Sequence, residues 1–127
     1  MEVMDLSGKG QMTMIDVGGI AEATQEEWIN YDLCDVNDCV VRMGVFLGEF
    51  HWHHHDREDE FFFVVSGKLH LDLDNRTVEL LPGQGFTVPR GARHRTRADE
   101  RTVVLMVEGN TVKPEGDLSR NGTTPWD

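Results

Sequence analysis

Basic residues are scarce in this chain: 12 lysines and arginines stand against 23 acids, a net charge of −11 over 127 residues. A field of that sign repels phosphate backbones, and no basic cluster offsets it locally, which argues against nucleic acid as a partner. Arg90, Arg93, Arg95, Arg97 and Arg101 are scattered along one segment and read as a solvated strand face. Long apolar runs are missing too. No stretch approaches the roughly 20 residues a membrane-spanning helix needs. The first twenty residues, "MEVMDLSGKGQMTMIDVGGI", hold no continuous apolar run, so no signal peptide is expected there. Cysteine is limited to Cys34 and Cys39 in "LCDVNDC", whose central Asn-Asp can turn a hairpin and bring the two opposite. Without a secretory signal, free thiols are expected rather than a disulfide. Together these absences predict a soluble, cytoplasmic, acidic protein with no membrane partner.

The chain has a single-domain length, enough for one ordinary core. Residues 1 to 14 read as a flexible leader. "TQEEW" places Glu27 three positions after Thr24, the spacing of a capping box, and predicts one short helix near residues 20 to 29. Beyond it the character changes. "CVVRMGVFLGEF", "EFFFVVSG", "KLHLDLD", "TVELLPG", "GFTVPRG" and "TVVLMVEG" are short β-branched or aromatic runs, each closed by Gly, Pro, Asn or Asp. That is the pattern of an all-β sandwich or barrel, with a tight hairpin at Asp74-Asn75. The expected organisation is an N-terminal arm with the helix over 1–38, a β-barrel over 39–109 and a polar tail over 110–127.

One stretch stands apart. In "FHWHHHDREDEFF", residues 50 to 62, four of the six histidines fall within five positions. Alone it reads most plainly as a solvated loop. On a strand, however, side chains alternate, so His53 and His55 share a face with roughly 7 Å between Cα atoms. Glu60 has the wrong parity to continue that strand, so "DRED" must turn and Glu60 must open a strand that returns beside it. A second stretch, "GQGFTVPRGARH", residues 83 to 94, places Pro89 and Gly91 at the second and fourth positions of a type I turn. His94 begins the strand after it.

The joint spacing of these residues resembles both motifs of the cupin superfamily. His53, His55, Glu60 and Gly67 match the first, with its leading glycine one position closer than usual at Gly48. Gly83, Pro89, Gly91 and His94 match the second without exception, and Ala98 stands where an Asn often follows. The resemblance covers residues 48 to 98 and implies a double-stranded β-helix, or jelly roll. It also implies one divalent metal held by His53, His55, Glu60 and His94. Three imidazoles and a carboxylate suit Fe2+, Mn2+, Ni2+, Cu2+ or Zn2+ alike. Four protein ligands leave two positions on an octahedral ion and none on tetrahedral zinc.

Parity sorts the rest. His54 and His70 fall on opposite faces from the ligands, and His51 either lines the cavity or sits at its rim. Phe62, Val64 and Val88 should form an apolar wall. Phe61, Phe63 and Val65 then face outward and need a cover, from the N-terminal arm or a second subunit; cupins often pair through such sheets, which implies a homodimer. Arg93, Arg95 and Arg97 point outward, whereas His51, Thr96, Gln84 and Tyr31 are weak candidates for inward polar groups. "DEFFFVVSGKL" looks most like small cupins loosely called mannose-6-phosphate-isomerase-like. The resemblance thus implies a metal-dependent isomerase or dioxygenase acting on a small, polar, sugar-like molecule. A non-catalytic small-ligand-binding module is the alternative, and a barrel that no longer binds metal a third reading.

Overall fold

The short β-branched runs do fold as strands, in a computed structural model that describes residues 2–5, 11–112 and 116. In chain order the elements are β1 (Glu2–Asp5), α1 (Val17–Ala23), β2 (Ile29–Val36), β3 (Cys39–Glu49), β4 (Glu60–Ser66), β5 (Leu69–Leu73), β6 (Thr77–Leu80), β7 (Gly85–Val88) and β8 (His94–Gly109). They build the all-β double-stranded β-helix that the sequence led us to expect, with one short helix. The order of neighbours is β1-β2-β3-β8-β4-β7, with β5 joining β8 to β6. Every pairing is antiparallel except β1 with β2.

β8 is the organising strand. Its first residues pair with β5, from Leu73↔His94 to His70↔Arg97, and its last with β4, from Val64↔Val104 to Glu60↔Glu108. Its other edge pairs with β3 from Cys39↔Gly109 to Glu49↔Arg97. The sequence suggested two separate runs here; they form one continuous strand because "ADER" carries no turn-forming glycine or proline.

The interior follows the alternation. Phe62, Val64, Leu69, Leu71, Val88, Ala98, Val104 and Met106 meet in a buried cluster inside the barrel. Each such side chain contributes about 1.5–3 kcal/mol of transfer free energy when fully buried. A second cluster, Ala21, Ile29, Tyr31, Leu33, Met43, Val45 and Val103, seats the helix on the outside of β2 and β3. Phe61 and Phe63 are half-buried on the outer face and Val65 is exposed, as alternation required.

Three local expectations are corrected. The helix runs over Val17–Ala23 rather than residues 20 to 29: the Asp16 side chain caps its start by accepting from the Gly19 N–H, and Thr24 closes it. The Thr24 hydroxyl donates back to the Ile20 carbonyl at 2.7 Å and meets the Tyr31 hydroxyl at 2.8 Å, so it is not available to cap a helix after it. Residues 2–5 of the supposed leader add a strand to β2, with Glu2 opposite Ile29. The turn after β7 is shifted by one residue: the Ala92 N–H donates to the Pro89 carbonyl, which makes Pro89 the first position and Gly91 the third. Gly91 has φ +78°, the conformation a type II turn demands at that place.

The hairpin at Asn37-Asp38 forms, with Asn37 at φ 55°. Its register pairs Cys39 with Val36 and Cys34 with Val41, so the two cysteines are not opposite, and both are free thiols. The hairpin at Asp74-Asn75 forms too, closed by Leu73 N–H donating to the Arg76 carbonyl at 2.7 Å. Of the expected polar tail, residues 113–115 and 117–127 lie outside the described residues. Among the described residues, no helix is long and apolar enough to cross a membrane.

Candidate metal centre

The segment after β3 leaves the sheet with Phe50 N–H still donating to the Thr96 carbonyl at 3.0 Å, and it meets β8 again where His53 and His94 form an isolated antiparallel bridge. Two backbone hydrogen bonds hold it, His53 N–H to the His94 carbonyl at 2.9 Å and His94 N–H to the His53 carbonyl at 2.8 Å. The Gly91 N–H donates to the His55 carbonyl at 2.7 Å, which ties the turn after β7 to the same segment. Gly48, Gly67, Gly83 and Gly91 all have positive φ, so each glycine of the two motifs marks a backbone corner that other residues rarely adopt.

These constraints bring His53, His55, Glu60 and His94 together. One ligand atom from each lies within 4.8 Å of all the others, and all four residues are buried. Glu60 Oε1 is 3.3 Å from His94 Nε2 and 3.4 Å from His55 Nε2. The imidazoles are oriented from behind. His53 Nδ1 donates to the His51 carbonyl at 3.0 Å and His94 Nδ1 to the Ala92 carbonyl at 2.9 Å. A carbonyl only accepts, so each bond fixes the proton on Nδ1 and leaves Nε2 as the donor atom facing the cluster. Neutral imidazoles so arranged point lone pairs at a carboxylate oxygen, and a cation between them is what satisfies such a donor set. Burial, with His94 close by, pushes the His53 pKa down to about 3, which keeps that ring neutral and able to ligate.

A second carboxyl group stands behind the first. Glu108 pairs with Glu60 across β8 and β4, and it is buried. Burial opposes ionisation of Glu60; a hydrogen bond from Glu108 leads the opposing effects, and the carboxyl is held well below the usual range. Burial and the Glu60 charge push Glu108 well above that range, against the pull of Arg42. Its other side is anchored: Arg42 Nη1 donates to Glu108 Oε1 at 2.6 Å, and Arg42 Nε donates to Asp32 Oδ1 at 2.7 Å.

The cavity beside Glu60 and His53 is small and opens to solvent. Its remaining lining is Asn30, Phe46, Phe50, Phe62, Thr96 and Met106. Thr96 is inward, as the sequence suggested. His51 is half-buried, with its ring against Phe50 at 3.8 Å and outside the four-residue cluster. Two other candidates are corrected. Gln84 is exposed and its side chain accepts from the Leu81 N–H, serving the turn before β7. Tyr31 is buried, but in the cluster under the helix.

His54 faces Asp56 at 3.0 Å and His70 faces Asp99 at 3.5 Å, both away from the cluster, as alternation predicted. The arginines of β8 also point outward. Arg95 and Arg97 converge on Asp72, and Arg93 and Arg95 lie over the Trp52 ring. Asn30 and Glu108 were not singled out from sequence. Glu108 was visible in principle, since it shares parity with Val104 and Met106. Asn30 was hidden by the expected helix over its neighbours.

The cupin domain family model matches residues 45–108. The chain is 43% identical over 90 residues to the uncharacterized protein YdbB of Bacillus subtilis, covering 70% of this chain and 80% of that one. It is 34% identical over 82 residues to an acireductone dioxygenase of Bacillus mycoides, covering 60% of this chain and 48% of the relative. It thus spans about half the length of that dioxygenase. Among solved structures, a cupin-2 domain protein from Shewanella frigidimarina superimposes with a TM-score of 0.73 at 25% identity, over 76% of this chain and 95% of that one. A protein with a double-stranded β-helix domain from Klebsiella pneumoniae gives 0.65 at 18% identity, over 78% and 90%.

Proposed function

We propose that this chain, which belongs to the cupin family, is a metal-dependent protein whose centre is His53, His55, Glu60 and His94, and that it acts as an oxygenase or isomerase on a small polar molecule. The observation that carries the reading is the convergence of four buried donor atoms with two imidazole tautomers already fixed by backbone carbonyls. When bound, a divalent ion there supplies Lewis acidity toward an oxygen donor, and iron adds one-electron chemistry with O2. The chain's own residues do the rest. His53 and His94 are oriented by the backbone, Glu60 supplies a negative charge, and Glu108, pushed toward its protonated form, stands beside it. Phe46, Phe50, Phe62 and Met106 keep water from the cavity wall.

The dioxygenase relative favours oxygen chemistry over isomerisation. A non-catalytic binding module is the second reading. It draws on the cavity lining, where, among the described residues, His53 and Glu60, both proposed ligands, are the only ionisable side chains. The test is oxygen uptake by iron-loaded protein, with small α-hydroxy carbonyl compounds, beside an isomerisation assay on the same compounds. Metal-dependent turnover in either supports an enzyme. Saturable binding without turnover supports the module.

A further inference from the structure

The barrel wall does not close on itself. β7 ends the row of strands beside β4, β6 pairs with β5 alone, and among the described residues no strand joins these two edges. An open cleft of about 670 Å³ lies between the β5–β6 hairpin and the turn after β7. That volume is in the range of small-molecule sites. The cleft is separate from the four-donor cluster, none of whose residues lines it. Its floor is apolar: Leu73, Phe86 and Ala92 are half-buried and packed on the interior cluster, and the Pro89 ring lies beside them.

Alternation brings a cation to that floor. On β6, Val78 and Leu80 turn inward to the interior cluster, so Arg76, two residues before Val78, falls on the same row. The guanidinium accordingly stands 5.7 Å from the centre of the Phe86 ring. Among the described residues Arg76 forms no ion pair. A second guanidinium, Arg93, also lines the cleft and faces Asp74 at 3.4 Å. Both side chains of that pair are more than half exposed, so it contributes little and opens readily. Two guanidiniums and one carboxylate therefore leave one positive charge unmatched on the cleft, in a chain whose net charge is −11.

We propose that this cleft is a second binding site, which takes a planar aromatic molecule with a single negative charge, such as an aryl carboxylate. The ring lies against Phe86 and the apolar floor, where a flat aromatic surface suits both the phenyl group and the guanidinium plane. The carboxylate accepts from Arg76, and Arg93 turns from Asp74 to the same group, as charge-assisted bonds to a guanidinium fork favour. The site does not depend on the metal-centre reading.

The test uses the full chain as purified, with isothermal titration calorimetry as the readout and benzoate, benzamide and cyclohexanecarboxylate as probes. Saturable benzoate binding at about one per chain is expected. Benzamide lacks the charge and should bind about tenfold more weakly. Cyclohexanecarboxylate keeps the charge without the flat ring and should bind about threefold more weakly. Arg76→Gln alters an exposed side chain and should weaken benzoate about tenfold, whereas Arg57→Gln, an exposed arginine outside the cleft, should leave it unchanged. No saturable benzoate binding overturns the proposal, and so does an equal loss in both variants, which would report overall charge alone. Benzamide or cyclohexanecarboxylate binding as tightly as benzoate overturns the ligand class. Unchanged benzoate affinity in Arg76→Gln overturns the site and places the probe elsewhere, the metal centre included.

Discussion

Glu60 and Glu108 lie directly opposite each other on β4 and β8, both buried, with the Glu60 carboxyl held below the usual range and that of Glu108 pushed above it. The first belongs to the four-donor cluster and the second is fastened to Arg42 at 2.6 Å. The proposed ligand is thus held by a chain of three side chains that ends at Asp32.

Glu108→Gln keeps a donor beside Glu60 at nearly the same volume and is expected to retain metal with only a few-fold loss of affinity. Glu108→Ala leaves the Arg42 guanidinium without its buried partner and frees the Glu60 carboxylate to rotate. It should weaken metal binding by about 10–100-fold, the usual scale for groups that orient metal ligands. Competition against a chromophoric chelator measures both. Equal affinities in the two variants would show that Glu108 serves packing alone.

On the outer face, Asp72 accepts from Arg97, Thr77 and Arg95 at 2.6–3.0 Å. Hydrogen bonds from Arg97 first, against the opposing effect of burial, hold its carboxyl below the usual aspartate range. A carboxyl depressed in the folded state stabilises fully above its ordinary pKa and loses that contribution as pH falls through and below it. Asp72→Asn should therefore cost about 1–2 kcal/mol at pH 7 and nothing in strong acid. Denaturant unfolding of both proteins from pH 7 downward checks the convergence. A constant difference at every pH would contradict the assignment.

Phe61 and Phe63 on β4 flank Val107 on β8, which is 39% exposed. This outer strip is where the proposed homodimer would form. Sedimentation velocity is expected to show a dimer for the wild type and a monomer for Val107→Glu, with metal content unchanged. A monomeric wild type removes the dimer.

The grouping of the four proposed ligands was legible through the two motifs the sequence resembles, with the parity of His53 and His55, the charged turn before Glu60 and the glycine corner before His94 consistent with it. The helix was legible in kind but misplaced. Thr24 and Glu27 satisfy a capping spacing, yet Asp16 offers the same chemistry earlier, and Trp28 is drawn to Phe46, with ring centroids 4.5 Å apart. Local signals could not rank those two options, since packing decides between them. That error also concealed Asn30, which sits on a strand covered on both sides, where three consecutive residues are buried and alternation is silent. Glu108 escaped for a different reason. An acid at an inward strand position looks like an exception until its partner Arg42, 66 residues away, is known.

The most direct test is the metal content of untagged protein purified anaerobically, beside the double variant His53→Ala/His94→Ala. Removing two of the four converging donors, including both imidazoles held by backbone carbonyls, should abolish tight binding. The account predicts about one divalent ion per wild-type chain and none in the double variant. Full metal in the double variant, or none in the wild type, would contradict it.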